Sequence, residues 1–449
     1  MSFVNKINKF IDKKNIKIVI GFAIVVRLIF VCLYGAITLM PDSYDYLALS
    51  NIISESDWSN YTAKRTPGFP VIISLLKQNL KILVAFQLLL GVLSTVLLYK
   101  IILSISKNRL LSFWTAIIYT SFANVILFDF AILTEALTTF ILLTSIWLVI
   151  KHKLFNPNSS IIYYLVLSCV LSWLYLIKPF YIYVPFVFVA YFFIKSIKLN
   201  VKKVFFKSII ILSTPILFYF LWNNFNQKKI GVFTNTQYFG INLAQTATPF
   251  FEKAPNKDGL IRDIIVKHRD SLIKHDLDKV AMSVWSAHDE LLTKTKLTEI
   301  ELSNKLGEIS KQLFKDYPLL YLKQVSKSWL LYWGSKNSLY WNYKEVKNLY
   351  FKKGIIVIWS FFQQYILIVI NILFLIFSFL KLLQFFNRPY KALDVDLFIV
   401  SVIIIGSLAQ ALVAYGENSR YCFPFFGLIL YFVIKNLNKK ELVLKKNSL

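Results

Sequence analysis

About ten apolar runs, each close to the roughly 20 residues a helix needs to cross hydrocarbon, succeed one another along this chain and restrict its folding more than any other feature. They occupy residues 18–40, 82–104, 110–128, 132–150, 161–177, 181–194, 208–222, 355–380, 397–415 and 421–434. Inside a bilayer every backbone amide must be satisfied by the protein itself, which leaves helices or closed barrels. The runs are continuous rather than alternating, so they read as helices. The predicted fold class is therefore an all-α polytopic membrane protein with a bundle of about ten or more transmembrane spans. With 57% hydrophobic residues in 449, the chain carries more apolar surface than one or two soluble cores can hide.

A formal charge of +27 would point a soluble domain toward nucleic acid. Here the location of the charge decides otherwise. With a cytoplasmic N-terminus, strict alternation of the spans places Lys107/Arg109, Lys151/Lys153, the group from Lys195 to Lys207, Lys381/Arg388/Lys391 and the tail from Lys435 onward on the cytoplasmic side. This is the positive-inside pattern, and no nucleic-acid partner is expected. Lys77 and Lys81 fall outside and read as an interfacial helix. Lys6 to Lys17 precede a first run long enough to remain as an anchor, so both termini are expected in the cytoplasm of a bacterial inner membrane. Cys32, Cys169 and Cys422 form neither a CxxC pair nor a disulfide framework.

The same alternation gathers the chain's polar exceptions on the opposite face. These are the loop Pro41-Asp-Ser-Tyr-Asp-Tyr-Leu-Ala-Leu-Ser50, the turn holding Asp129 and Glu135, Lys178-Pro179, and Gly416-Glu-Asn-Ser-Arg420. Three parts follow: an N-terminal membrane module (1–222) with the polar first loop, a mostly helical extracytoplasmic segment (223–354), and a C-terminal membrane module with a basic tail (355–449). In the middle part, Leu260, Ile261, Ile264, Ile265 and then Leu302, Leu306, Ile309 and Leu313 recur at helical spacing. Beyond Tyr317 lysines interleave with Trp329, Tyr332, Trp333, Tyr340 and Trp341, reading as a belt at the membrane interface or as a contact for anionic lipid.

Carboxylates at a membrane surface are costly and call for a reason. Asp42 follows Pro41 at the end of the first run. Partial burial there would raise its pKa from about 4 toward the range of a general base. The plainer alternative is that Asp42 or Ser43 caps a helix running through Tyr44. Glu135 opens the fourth run, either facing the bundle interior or favouring the helix dipole, and Asp129 is more easily solvated. Lys178 reads as a phosphate-binding point charge or a snorkelling lysine, and Arg420 as a phosphate fork or the partner of Glu417. The histidines show no metal spacing, and no nucleotide-binding or serine-hydrolase motif is present.

Taken together, Asp42 with Tyr46 on the same helical face, Arg65 before Thr66-Pro67-Gly68-Phe69-Pro70, Leu133-Thr134-Glu135, Ile177-Lys178-Pro179, and Glu417-x-x-Arg420-Tyr421 before Pro424 resemble the motifs of the GT-C glycosyltransferases. These polytopic enzymes take a sugar from a polyprenyl-phosphate carrier and include the protein O-mannosyltransferases and the aminoarabinose transferases of lipid A. The similarity covers the chain to about residue 185 and the last helix pair. It implies a GT-C type helix bundle in which Asp42 is the catalytic base, with Asp45 as runner-up, and Glu135 faces the same cavity. Arg65, Lys178 and Arg420 would bind the donor phosphate, supported by Tyr46 and Glu417. It further implies a monosaccharide transferase with a polyprenyl-phosphate-linked donor and a lipid, glycan or protein hydroxyl as acceptor, inverting the anomeric centre. Ser43 departs from the pattern and leaves open whether a divalent metal is held; no other cofactor is implied. The competing readings are a transporter or flippase of a lipid-linked saccharide, which needs charge near mid-membrane or broken spans, and a related glycan polymerase or ligase.

Overall fold

The computed structural model describes residues 3–275, 277–334, 339–388, 392–416 and 419–447. Among these the chain is helical throughout, and the one β feature is an isolated parallel bridge between Thr38 and Ala131. Seven helices are long and apolar enough to cross a membrane, or eight when one bent pair is taken as a single span. The molecule is an integral membrane protein, and its exposed large side chains agree. Ile24, Val25, Leu28 and Ile29 of the first helix and Phe361, Phe362, Tyr365 and Val369 of the longest helix point outward, as side chains facing lipid do.

Helix α1 (Phe3–Leu33) ends seven residues before the apolar run does. Gly35 adopts the left-handed conformation and its N–H closes onto the Phe30 carbonyl, stopping the helix. The released strand-like stretch then lies against residues 130–132: Thr38 N–H donates to the Phe130 carbonyl (3.0 Å), and Ile132 N–H donates to the Thr38 carbonyl (2.9 Å). Two short helices follow, α2 (Pro41–Glu55) and α3 (Gly68–Leu75). Lys77 sits in a left-handed turn rather than on an interfacial helix, and Lys81 begins the next span.

That span is α4 (Leu80–Ser106), capped by the Asn79 side chain. The expected span 110–128 is broken. Phe122 takes an extended conformation, so α5 (Arg109–Ser121) and α6 (Ala123–Phe130) meet at a 58° bend. The expected spans 132–150 and 161–177 are α7 (Glu135–Lys151) and α8 (Ile161–Ile177), of 17 residues each, about 25 Å at helical rise against a core of about 30 Å. Then come α9 (Tyr183–Ser196) and α10 (Val201–Ile230).

The segment after α10 builds its own core from α11 (Phe239–Ala247), α12 (Gly259–His275), α13 (Ser283–Thr295) and α14 (Glu299–Asp316). Ile261, Ile264, Ile265, Leu302, Leu306, Ile309 and Leu313 are buried in it, whereas Leu260 is exposed. A Thr298/Glu301 capping box starts α14.

Helix α15 (Pro318–Tyr332) leaves that unit and lies on the span α18 (Val395–Val413), with Trp329 Nε1 donating to Ser407 Oγ (2.9 Å). Between them, α16 (Leu349–Ile358) continues through a π-helical turn into α17 (Gln364–Asn387). Asn371 of α17 donates to the Trp333 carbonyl (2.8 Å), so the end of α15 is seated among the spans. Tyr332 and Trp333 are buried, and Tyr340 and Trp341 pack against the same core. Tyr332 and Trp333 are thus core residues, whereas Trp329, Tyr340 and Trp341 are partly buried at its margin. The short α19 (Ser419–Cys422) and the final span α20 (Phe426–Asn447) complete the bundle.

Candidate functional site

Three local devices bring the polar segments together. The first is the bridge between residues 38 and 131, which sets the start of α2 beside the turn leading into α7. Ser43 locks it: its hydroxyl accepts from the Met40 N–H (2.9 Å) and donates to the Ile132 carbonyl (2.8 Å). Ser43 therefore supplies the cap, and the Asp42 carboxylate is left free for other partners. The second device is Gly68. A Cβ built there would stand 2.5 Å from the Ile177 nitrogen, so only glycine lets the Arg65 loop approach the end of α8, immediately before Lys178. The third is the run Ser419–Cys422, which carries Arg420 onto the same spot.

The outcome is one continuous ion network. Arg65 Nη2 donates to Asp42 Oδ1 (2.8 Å) and to Asp45 Oδ2 (3.0 Å), with Nε also on Asp45 (3.1 Å). Arg420 Nη1 donates to the other oxygen of Asp42 (2.7 Å), while its Nε and Nη2 both engage Glu135. Lys178 Nζ donates to Glu135 Oε1 (3.0 Å). Aromatic faces lie under the cations: Tyr46 and Tyr238 under Arg65 (5.0 and 5.2 Å), Tyr421 under Lys178 (4.4 Å) and Tyr340 under Arg420 (5.6 Å). Of the seven charged residues named from the motifs, six are members. Glu417 lies outside the described residues.

Exposure is graded across the cluster. The Glu135 side chain is 0% exposed, Asp45 20% and Asp42 33%, so Asp42 stands at the open end. Burial pushes the Asp42 pKa up, but the adjacent Arg65 and Arg420 guanidinium groups, with Lys178 behind them, outweigh it and hold the carboxyl well below the usual range. This reverses the expected upward shift: two arginines at hydrogen-bonding distance win over partial desolvation. Tyr46 is pushed up to about 12 by burial and acts as a neutral prop, its ring also packing edge-on against Phe69.

Among the described residues, no group of three His, Cys, Asp or Glu side chains is placed to hold a metal ion. Asp42 and Asp45 are bridged by a guanidinium instead, an arrangement that does not fit a divalent cation. His268 bonds to Glu290 on α12 and α13, remote in role from this cluster.

Asp129 is not in the network. Its carboxylate is paired with Arg27 Nε (2.9 Å) inside the bundle, both side chains 3% exposed, and Arg27 also donates to Thr120 Oγ1 (2.9 Å). A Cβ on Gly91 would lie 2.3 to 2.7 Å from these charged atoms, so α4 gives way to the pair. Arg27 went unremarked in the sequence, although a lone cation in the first apolar run is the kind of signal that implies a buried partner. Tyr238 was also missed. Its hydroxyl donates to Asp45 Oδ2 (3.0 Å), and its neighbour Gln237 is anchored by the Ala63 carbonyl and by Glu299, tying the α11–α14 unit to the Arg65 loop. No motif surrounds Tyr238, and only the tertiary structure reveals it. Compared with family models, curated proteins and solved structures, the chain matches none.

Proposed function

We propose that this protein is a GT-C type glycosyltransferase that moves a monosaccharide from a polyprenyl-phosphate carrier to a hydroxyl acceptor at the outer face of a bacterial inner membrane. The observation that carries the reading is the convergence of Asp42, Asp45, Glu135, Arg65, Lys178 and Arg420, drawn from five separate chain segments, into one cluster beside the spans. Such a cluster offers an anion-binding set with a carboxylate at its open edge. In the reaction, the acceptor oxygen bonds to the anomeric carbon as its proton passes to Asp42. The bond from that carbon to the phosphate oxygen breaks, and its electron pair leaves on polyprenyl phosphate, held by Arg65, Arg420 and Lys178. Positioning and charge stabilisation are the main contributions asked of the protein.

The full-length protein in detergent, given a polyprenyl-phosphate sugar and a panel of hydroxyl acceptors, tests this. Release of free polyprenyl phosphate that requires an acceptor and falls in Arg420→Lys supports transfer. Arg420→Lys keeps the charge but loses the planar fork.

One observation favours the transporter reading: the buried Arg27–Asp129 pair lies within the spans, next to the broken α5–α6 element. Its members are not reached by solvent, and Arg27 is held by the Ala23 carbonyl and Thr120 as well as by Asp129, which favours a structural tie. No release from any donor in detergent, combined with translocation of lipid-linked saccharide in reconstituted vesicles, would overturn the transferase in favour of a transporter.

A further inference from the structure

The network described above is electrically complete. Three carboxylates meet three cations: Nε and Nη2 of Arg65 and all three side-chain nitrogens of Arg420 are spent on Asp42, Asp45 and Glu135. A phosphodiester brings a further negative charge. It can take these nitrogens only when a carboxylate gives up its place, because an excess anion left partly desolvated is unfavourable.

The gradient of exposure identifies the carboxylate that yields. Glu135 has no exposed surface and holds both Arg420 and Lys178, so its release would strand a charge in the bundle. Asp45 is held by Arg65 and additionally by the Tyr238 hydroxyl. Asp42 is bound by arginines alone, is the most exposed of the three, and sits in the first turn of α2.

We propose that Asp42 is a resident placeholder for the donor phosphate: the phosphate displaces it from Arg65 and Arg420, and only the displaced carboxylate is free to accept the proton of an acceptor. The inference rests on the transferase reading and deepens it. In the resting cluster Asp42 is a weak base, because two guanidinium groups hold its negative charge; once they turn to phosphate, that restraint is lifted. Base activity then depends on donor binding, and acceptor deprotonation without a donor is suppressed.

A placeholder gives the Asp42→Asn substitution an unusual sign. If Asp42 competes with phosphate, Asp42→Asn removes a competitor and tightens binding. If Asp42 merely holds the arginines in a productive pose, the same change weakens binding. The experiment is equilibrium binding of polyprenyl phosphate to the full-length protein in detergent, with uncharged polyprenol and inorganic phosphate as separate probes. Asp42→Asn should bind polyprenyl phosphate about tenfold more tightly than wild type, whereas Arg420→Gln should bind it about tenfold more weakly. Inorganic phosphate should follow the same order at lower affinity, and polyprenol should not distinguish the variants. Asp45→Asn gives a second reading should Asp42→Asn fold poorly, and should tighten binding to a lesser degree because Tyr238 already holds Asp45. Wild-type binding that is unchanged or weakened in a well-folded Asp42→Asn protein overturns the placeholder and leaves the transferase reading intact. Absence of polyprenyl phosphate binding in the wild type and all carboxylate variants sinks both.

Discussion

Asp42 accepts hydrogen bonds on its two oxygens from Arg65 and Arg420, residues 23 and 378 positions away along the chain. A carboxylate straddled in this way joins the first loop, the segment before α3 and the start of the final span into one unit. Removing its charge therefore affects both chemistry and assembly. In Asp42→Asn, turnover per folded molecule should fall at least about a hundredfold, and the melting temperature at neutral pH should drop because the ionic pairing with Arg65 and Arg420 is lost. Asp45→Asn should be milder. Near-wild-type turnover in Asp42→Asn would remove Asp42 from the role of base.

The buried Arg27–Asp129 pair is expected to behave differently. Arg27→Met leaves Asp129 without its partner and should cost about 3–5 kcal/mol. Replacing both, as Arg27→Met with Asp129→Leu, should recover most of that loss. Unfolding measurements on the two single variants and the double variant form the cycle, and additive losses would show that the two side chains do not interact.

Gly68→Ala places a methyl group against the backbone of Leu176 and Ile177, where the nearest built distances are 2.5 Å. Overpacking of this kind costs about 1–3 kcal/mol. Because the shift falls on the Arg65 loop, polyprenyl phosphate affinity should drop as well. A variant as stable and as competent in binding as wild type would show that the close approach is not required.

Acid should loosen the site in a defined direction. The folded-state pKa of Asp42 lies below its unfolded value of about 4, so its contribution to stability is present above that pH and is lost as pH falls through the folded value. The melting temperature should be nearly flat between about pH 8 and pH 5 and decline below about pH 4, with a shallower decline in Asp42→Asn. An identical acid profile in that variant would assign the loss to other carboxylates.

Orientation can be read by labelling. In a background lacking the native cysteines, a cysteine at exposed Ser56 should react with an impermeant thiol reagent added to intact cells, and one at exposed Asn108 should not. The opposite pattern would place the cluster in the cytoplasm.

What could be read from the sequence followed physical range. Long apolar runs announce helices because every residue contributes to the signal, and all ten proved helical. Their lengths were less legible. The α5–α6 break at Phe122 involves neither proline nor glycine, and a hydropathy average passes straight through it. The first span stops early because Gly35 turns the chain toward residue 130, a contact nearly a hundred positions away that no local pattern encodes. At the site, short motifs singled out the charged members. Tyr238 escaped notice, and Tyr340 was read only as part of an interfacial belt, because both reach the cluster from the middle segment through long-range packing. The lysine and tryptophan spacing around residue 330 suggested a surface belt, yet the surroundings of Tyr332 and Trp333 are set by α17 and α18 and not by their neighbours in sequence.

The place of Arg420 in the chain has a consequence for biosynthesis. Asp42 and Glu135 are made early in translation, whereas the guanidinium that joins them follows 378 residues after the first and 285 after the second. Until the final span inserts, Glu135 has only Lys178 to compensate it and Asp42 only Arg65. A nascent chain thus carries an excess of carboxylate in this cluster until Arg420 arrives, so neutralisation of the site depends on completing the last helix pair.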